Sequence, residues 1–209
     1  MADPPKKTVA ILKITWMNLN RSYWEERYKS ENLGWDIGDI STPLKAYIDQ
    51  LTNKSIKILV PGAGNGYEVV YLFQKDFQKV FVADLARQPL ENIKQQIPEI
   101  AAKQLFYGDF FDLPFNDFDL ILEQTFFCAL NPSLRNNYVE KMYDLLRPGG
   151  KIAGLFFDFP LTEAGPPFGG SKEEYIRLFS NKFQIKTLEN SYNSIGPRAG
   201  KELFFIFEK

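Results

Sequence analysis

The chain of 209 residues carries 25 Lys and Arg against 26 Asp and Glu, a net charge of −1, without the basic block that tracks a nucleic-acid backbone. Hydrophobic residues make up 44% and charged residues 24%, the balance of a globular chain long enough to bury a core, and the single Cys128 excludes an internal disulfide and fits a reducing cytosol. There is no histidine, so the commonest general base and metal ligand is missing and no metal ion is expected.

The first residues, "MADPPKK", read as the start of a loose N-terminus, residues 1–17. "TVAILKITWM" is interrupted by Lys13 and lacks a small-residue cleavage pattern, so no signal peptide is expected, and no run has the length of a membrane span. "NRSYWEERYKSENL" has helical composition, with Gly34 as its expected end. "TPLKAYIDQL" reads as a second helix, with Thr42 as cap and Pro43 in the first turn. Residues 18–52 form a helical segment ahead of a core spanning residues 53–209, within one domain.

From "IKILVP" onward, strands and helices alternate. The helix "GYEVVYLFQKD" is followed by the strand "KVFVADL", the helix "QPLENIKQQI" and the strands "KQLFYGDF" and "FDLILEQ". "PSLRNNYVEKMYDLL" is amphipathic, with Tyr138, Met142, Leu145 and Leu146 as its core stripe and Pro148-Gly149-Gly150 as its stop. Next come the strand "KIAGLFFDF" and a helix capped by Ser171. The runs "FQIKTLENS" and "KELFFIFEK" flank a turn near "SIGPRAG". The alternation predicts an α/β protein with a parallel sheet covered by helices on both faces, and the last two runs an antiparallel hairpin at one edge.

In such a sheet ligands bind beyond the carboxyl ends of the strands. Gly62, Gly64 and Gly66 stand where the first strand meets a helix. They serve either as a plain turn or as a place where backbone approaches a ligand. Asp84 ends the second strand, at the distance where an acid grips ribose hydroxyls. The spacing G-A-G-N-G, with Tyr67 after it, is tighter than the dinucleotide fingerprint, which weakens a nicotinamide reading. Asp109 and Phe110 end the third strand. The acid suits an adenine amino group or a simple loop cap, and the ring can cover a base.

"LVPGAGNGYEV", "ADL", "GDFFDL" and "RPGGKI" resemble class I S-adenosylmethionine-dependent methyltransferases. With "YWEERY…GWDIGDISTPL", "EQTFFCAL" and "AGPPFGGSKEEY" the chain looks like the thiopurine S-methyltransferase family, including its halide and thiol methyltransferase branch, from Trp24 to the C-terminus. The resemblance implies a Rossmann-like seven-stranded, mostly parallel sheet with an antiparallel last strand and an N-terminal helical lid. It implies that Trp24 and Trp35 line S-adenosyl-L-methionine and that Gly62 and Gly64 approach its amino-acid part. By the same carry-over Asp84, with Leu85 beside it, holds the ribose, Asp109 with Phe110 the adenine, and Glu123 and Gln124 lie near the sulfonium. Asn20 departs from the halide branch, which carries another Trp there.

Methyl transfer from a sulfonium is an in-line displacement that rests on alignment. A thiolate or halide needs no base, so a chain without histidine fits a soft anionic acceptor better than an alcohol or amine. "EQTFFCAL" is not the motif of amino-group methyltransferases. A small-molecule acceptor, a monomer, no nucleic acid, no membrane and a cytoplasmic setting are expected. Glu123 orients a substrate or bonds backbone amides, and Arg198 binds an anionic acceptor or stands as a solvated loop charge. Asp36 caps the lid helix or touches ligand, and Cys128 is a small buried hydrophobe before it is a nucleophile. The alternatives are an oxygen-directed methyltransferase and an adenosyl-ligand-binding protein without catalysis.

Overall fold

Runs of Ile, Leu and Val without polar alternation belong in a sheet covered on both faces. The first such run forms β1 (Ile58–Pro61), with all four residues buried. The computed structural model describes residues 17–163 and 165–209. The expectations of a loose N-terminus and no signal peptide therefore lie, but for Met17, outside the described residues.

Around β1 stand β2 (Val80–Asp84), β3 (Leu105–Tyr107), β4 (Phe118–Gln124), β5 (Leu146–Phe157), β6 (Gln184–Asn190) and β7 (Glu202–Glu208), in the order β3-β2-β1-β4-β5-β7-β6. The first five strands run parallel, and β7 is antiparallel to both β5 and β6. The sheet is thus seven-stranded, with the reversed strand one place in from the edge that β6 forms.

Alternate residues divide two cores. Val60, Val82, Leu120 and Leu122 face α2 (Thr42–Asp49), α3 (Tyr67–Gln74) and α4 (Arg87–Gln96), through Leu44, Ile48, Leu72 and Ile93. Leu59, Ile121 and Ile152 face α5 (Arg135–Leu145) and α6 (Lys172–Phe179). Much of the phenylalanine lies in this second core. Phe156 stacks on Phe205 at 3.9 Å, and Phe127, Phe179 and Phe207 close around them. Tyr138, Met142, Leu145 and Leu146 are buried there, as the stripe predicts. No helix among the described residues is long and apolar enough to cross a membrane.

Three helix boundaries differ from the sequence reading. α1 (Arg21–Lys29) ends at Ser30, not at Gly34, because Glu31 takes a left-handed φ of 54°. α2 is capped by Ser41, not Thr42, whose hydroxyl donates to the Asn193 carbonyl at 2.6 Å. α5 stops at Leu145, before Pro148-Gly149-Gly150, which lies within β5. There the Lys209 ammonium donates to the carbonyls of Tyr143 and Leu146 at 2.7 Å each, and Gly149 and Gly150 pair with the Lys209 backbone. Ser171 caps α6 as expected, its hydroxyl accepting from the Glu174 amide at 3.3 Å.

Candidate active site

The glycine stretch is neither helix nor strand by necessity. Gly62, Gly64 and Gly66 have φ of +58°, +55° and +78°, the left-handed region that side chains resist. The Gly62 amide donates to the Ala83 carbonyl at 2.7 Å, which brings the turn beside the end of β2. A side chain on Gly66 would strike Ile93, so this glycine also lets α3 approach α4.

Beyond the carboxyl ends of β1 to β4 opens a cavity of about 860 Å³, within the range of ligand pockets, roughly 300–1,000 Å³. Its floor includes Gly62, Asp84, Leu85, Asp109 and Phe110. One Asp84 oxygen accepts from the Ala86 amide at 2.8 Å, and burial pushes this carboxyl up to about 7. One Asp109 oxygen accepts from the Phe111 amide at 2.9 Å, so this residue caps its loop and lines the cavity together.

The roof comes from α1 and the segment after it. Arg21, Arg27 and Tyr28 each stand three or four residues from Trp24, which places the four on one helical face. All four line the cavity, and α1 buries no residue elsewhere. Trp24 and Tyr28 each meet Trp35 edge-on at 5.6 Å. A Cβ at Gly64 would lie 3.6 Å from the Trp35 indole nitrogen, so the roof reaches the glycine turn. At the other end the Tyr107 hydroxyl donates to Glu25 at 2.7 Å.

The segment after α1 is tied down on both sides. Asp36 caps no helix. One of its oxygens accepts from the Gly38 amide at 2.7 Å, and the other from the Asn65 side chain and the Tyr67 hydroxyl. Arg198 is not a solvated loop charge. Its side chain is 11% exposed, donates to the Trp35 carbonyl at 2.7 Å, pairs with Glu202 at 3.3 Å and lines the cavity.

Glu123 lies behind the site. It is fully buried, and one oxygen accepts from the Phe126 and Phe127 amides at 2.7 Å each. Its other oxygen is buried with no partner among the described residues, and burial pushes the carboxyl up to about 8. These bonds brace the turn after β4, where Thr125 holds a φ of +58°, a strained value for a β-branched residue. Thr125, Phe126 and Cys128 then line the cavity. Cys128 donates its thiol to the Thr125 carbonyl at 3.2 Å, and burial pushes that thiol far up, away from thiolate chemistry.

The large cavity therefore gathers Trp24, Trp35, Gly62, Asp84, Leu85, Asp109, Phe110 and Arg198 from the expected set. Gln124 and Gly64 line a small recess next to it, which shares Gly62, Trp35 and Thr125. Glu123 lines neither and stands behind the turn that carries Phe126 into the cavity. Arg27, Tyr28 and Thr125 were not expected. Helical spacing from Trp24 is the signal for the first two, and no sequence signal marks the backbone of Thr125.

The profile of the family described as Thiopurine S-methyltransferase matches residues 19–208. "Probable thiol methyltransferase 2" of Arabidopsis thaliana is 30% identical, over 86% of this chain and 81% of its own length. "Thiocyanate methyltransferase 1" of Brassica oleracea is 28% identical, over 95% of this chain and 88% of its own. Among solved structures, a 1,6-didemethyltoxoflavin-N1-methyltransferase of Burkholderia thailandensis, with S-adenosylhomocysteine bound, shares the fold. It has a TM-score of 0.70 and 20% identity, over 90% of this chain and 86% of that one. The chain belongs to the thiopurine S-methyltransferase family of S-adenosylmethionine-dependent enzymes.

Proposed function

We propose that this methyltransferase alkylates a small, soft, anionic nucleophile such as a thiolate or a halide-like anion. The observation that carries the proposal is the part of the lining that Leu130, Leu134, Phe157, Pro166 and Pro167 supply, all apolar, with the Arg198 guanidinium 5.6 Å from the Phe157 ring. An apolar chamber disfavours strongly hydrated acceptors, and a guanidinium draws a weakly hydrated anion. Two relatives that carry thiol and thiocyanate in their names agree with this chemistry.

S-Adenosylmethionine supplies an electrophilic methyl carbon on a sulfonium. The residues present suit that cofactor. Asp84 accepts from the ribose hydroxyls, and Asp109 with Phe110 receives the adenine. Gly62 leaves room for the amino-acid part, and Trp24 and Trp35 cover it as part of a lid formed by residues 18–52 of a single domain. Arg198, fixed by Glu202 and the Trp35 carbonyl, turns its remaining N–H groups to the acceptor, and the roof limits the access of water. No side chain needs to remove a proton from an acceptor that arrives as an anion.

The test is a panel of aromatic and alkyl thiols, thiocyanate, iodide and a phenol, assayed at saturating S-adenosylmethionine across a pH series. Aromatic thiols react at neutral pH. Alkyl thiols gain rate as pH rises toward about 8.5, the ordinary thiol value. Thiocyanate and iodide show flat profiles. A phenol methylated faster than every thiol and anion overturns the soft-acceptor reading and leaves the cofactor in place.

A further inference from the structure

Among the described residues three cations line the cavity, and one of them is already engaged by hydrogen bonds. Arg198 is bound to Glu202 and to the Trp35 carbonyl. Arg21 lies over the Tyr107 ring at 4.5 Å, beside the strand that leads into Asp109 and Phe110. Neither Arg21 nor Arg27 makes a hydrogen bond or ion pair with a described residue, but Arg21 is exposed, whereas the Arg27 Nε is buried without an acceptor. The Arg27 guanidinium rests only against rings, 5.4 Å from Trp35 and 6.0 Å from Tyr23. A guanidinium that lines a cavity without an ion-pair partner leaves its charge to an anionic ligand there.

The geometry points to Arg27 as the anchor for the α-carboxylate of the cofactor's methionyl part, an assignment that rests on the S-adenosylmethionine reading above. Arg27 leans on Trp35, and Trp35 stands over Gly64, so the free guanidinium belongs to the glycine-turn end of the cavity. Asp84 lies beside the glycine turn, but its oxygens accept backbone amides, those of Gly64, Leu85 and Ala86, and neither it nor Asp109 pairs with Arg27. A carboxylate presents two oxygens to the guanidinium fork, which makes the pair directional as well as charged. Because Arg27 sits on α1, the same bond ties the roof to the bound cofactor.

Calorimetric binding to the full chain tests this, with S-adenosylhomocysteine and its decarboxylated analogue as probes. Wild type binds the carboxylated probe more tightly. Arg27→Gln weakens S-adenosylhomocysteine about tenfold or more, the effect of one charge-assisted bond, and leaves the decarboxylated probe unchanged. Arg27→Lys restores part of the loss. Equal losses for both probes would reduce Arg27 to a packing residue of the roof and overturn the assignment. No loss for either probe overturns it as well. Wild type that binds neither probe removes the cofactor reading and this assignment together, which separates that failure from one confined to Arg27. Circular dichroism checks that each variant is folded.

Discussion

Asp84 and Glu123 show how one physical cause yields two roles. Burial raises both carboxyls, Asp84 to about 7 and Glu123 to about 8, from ordinary values near 4. A raised acid binds more protons in the folded state than in the unfolded chain. The stability it lends is therefore present below about pH 4 and is lost as pH rises through the folded value. Only Asp84 faces the cavity, so only its deficit is open to repair by a ligand. Ribose hydroxyls donate to the ionised form. S-Adenosylhomocysteine affinity should thus tighten as pH rises from 6 through about 7, with a proton released on binding. Asp84→Asn should bind at least about tenfold more weakly and with a flat profile. Calorimetry at several pH values checks this, and a flat wild-type profile would remove Asp84 from the ribose. Glu123→Ala works through structure instead. It leaves the Phe126 and Phe127 amides unpaired, at about 1–3 kcal/mol each. A fall in melting temperature is expected, and loss of activity without one would return Glu123 to the reacting centre.

At the scale of elements, α1 has no buried residue although it lies across the molecule's one large cavity among those described. Its inward face meets space for a ligand instead of a packed core, so its order should depend on what fills that space. Amide exchange in residues 21–38 should slow on saturation with S-adenosylhomocysteine, while α5, packed on Phe127 through Tyr138, stays unchanged. Equal exchange with and without ligand would make α1 a fixed wall and not a lid. The same helix marks the limit of what sequence reveals. The sheet was legible because both-face burial writes continuous apolar runs, and the glycine turn because left-handed backbone leaves glycines behind. Asp84 was legible because it closes a strand beside that turn. The roof was half legible. Trp24 and Trp35 stand out as aromatics, but Arg27 and Tyr28 read as ordinary surface until the helix is placed. The pleat argues against Glu123 and Gln124 serving one ligand together, since neighbours on a strand face opposite sides. The end of α5 was hidden because it depends on Lys209, more than sixty residues along the chain. Glu31, which ends α1, carries no cue for its left-handed backbone.

At the scale of the whole molecule, the site joins parts that are distant in sequence. The glycine turn and β2 come from one half of the sheet, and Arg198 comes from the connection into β7. The roof is fastened to both, through Asp36 to Asn65 and through Trp35 to Arg198. A ligand that spans the cavity therefore braces these elements together, and it binds the folded chain alone. Ligand at a hundred times its dissociation constant adds about 2.7 kcal/mol of stability. For a chain of 209 residues, each kcal/mol moves the melting temperature by about 2–4 °C. S-Adenosylhomocysteine at that excess should raise the melting temperature by about 5–10 °C. Adenosine, which reaches Asp84 and Asp109 but leaves the Trp35 end empty, needs a far higher concentration for the same rise. Reduced nicotinamide dinucleotide should give no rise, because the turn Gly62-Ala63-Gly64-Asn65-Gly66 runs into Tyr67 where a dinucleotide site needs glycine. Differential scanning calorimetry with the three ligands decides the matter. A dinucleotide shift equal to that of S-adenosylhomocysteine would mean that the cavity selects for adenosine alone, and the roof would lose its part in recognising the amino-acid end.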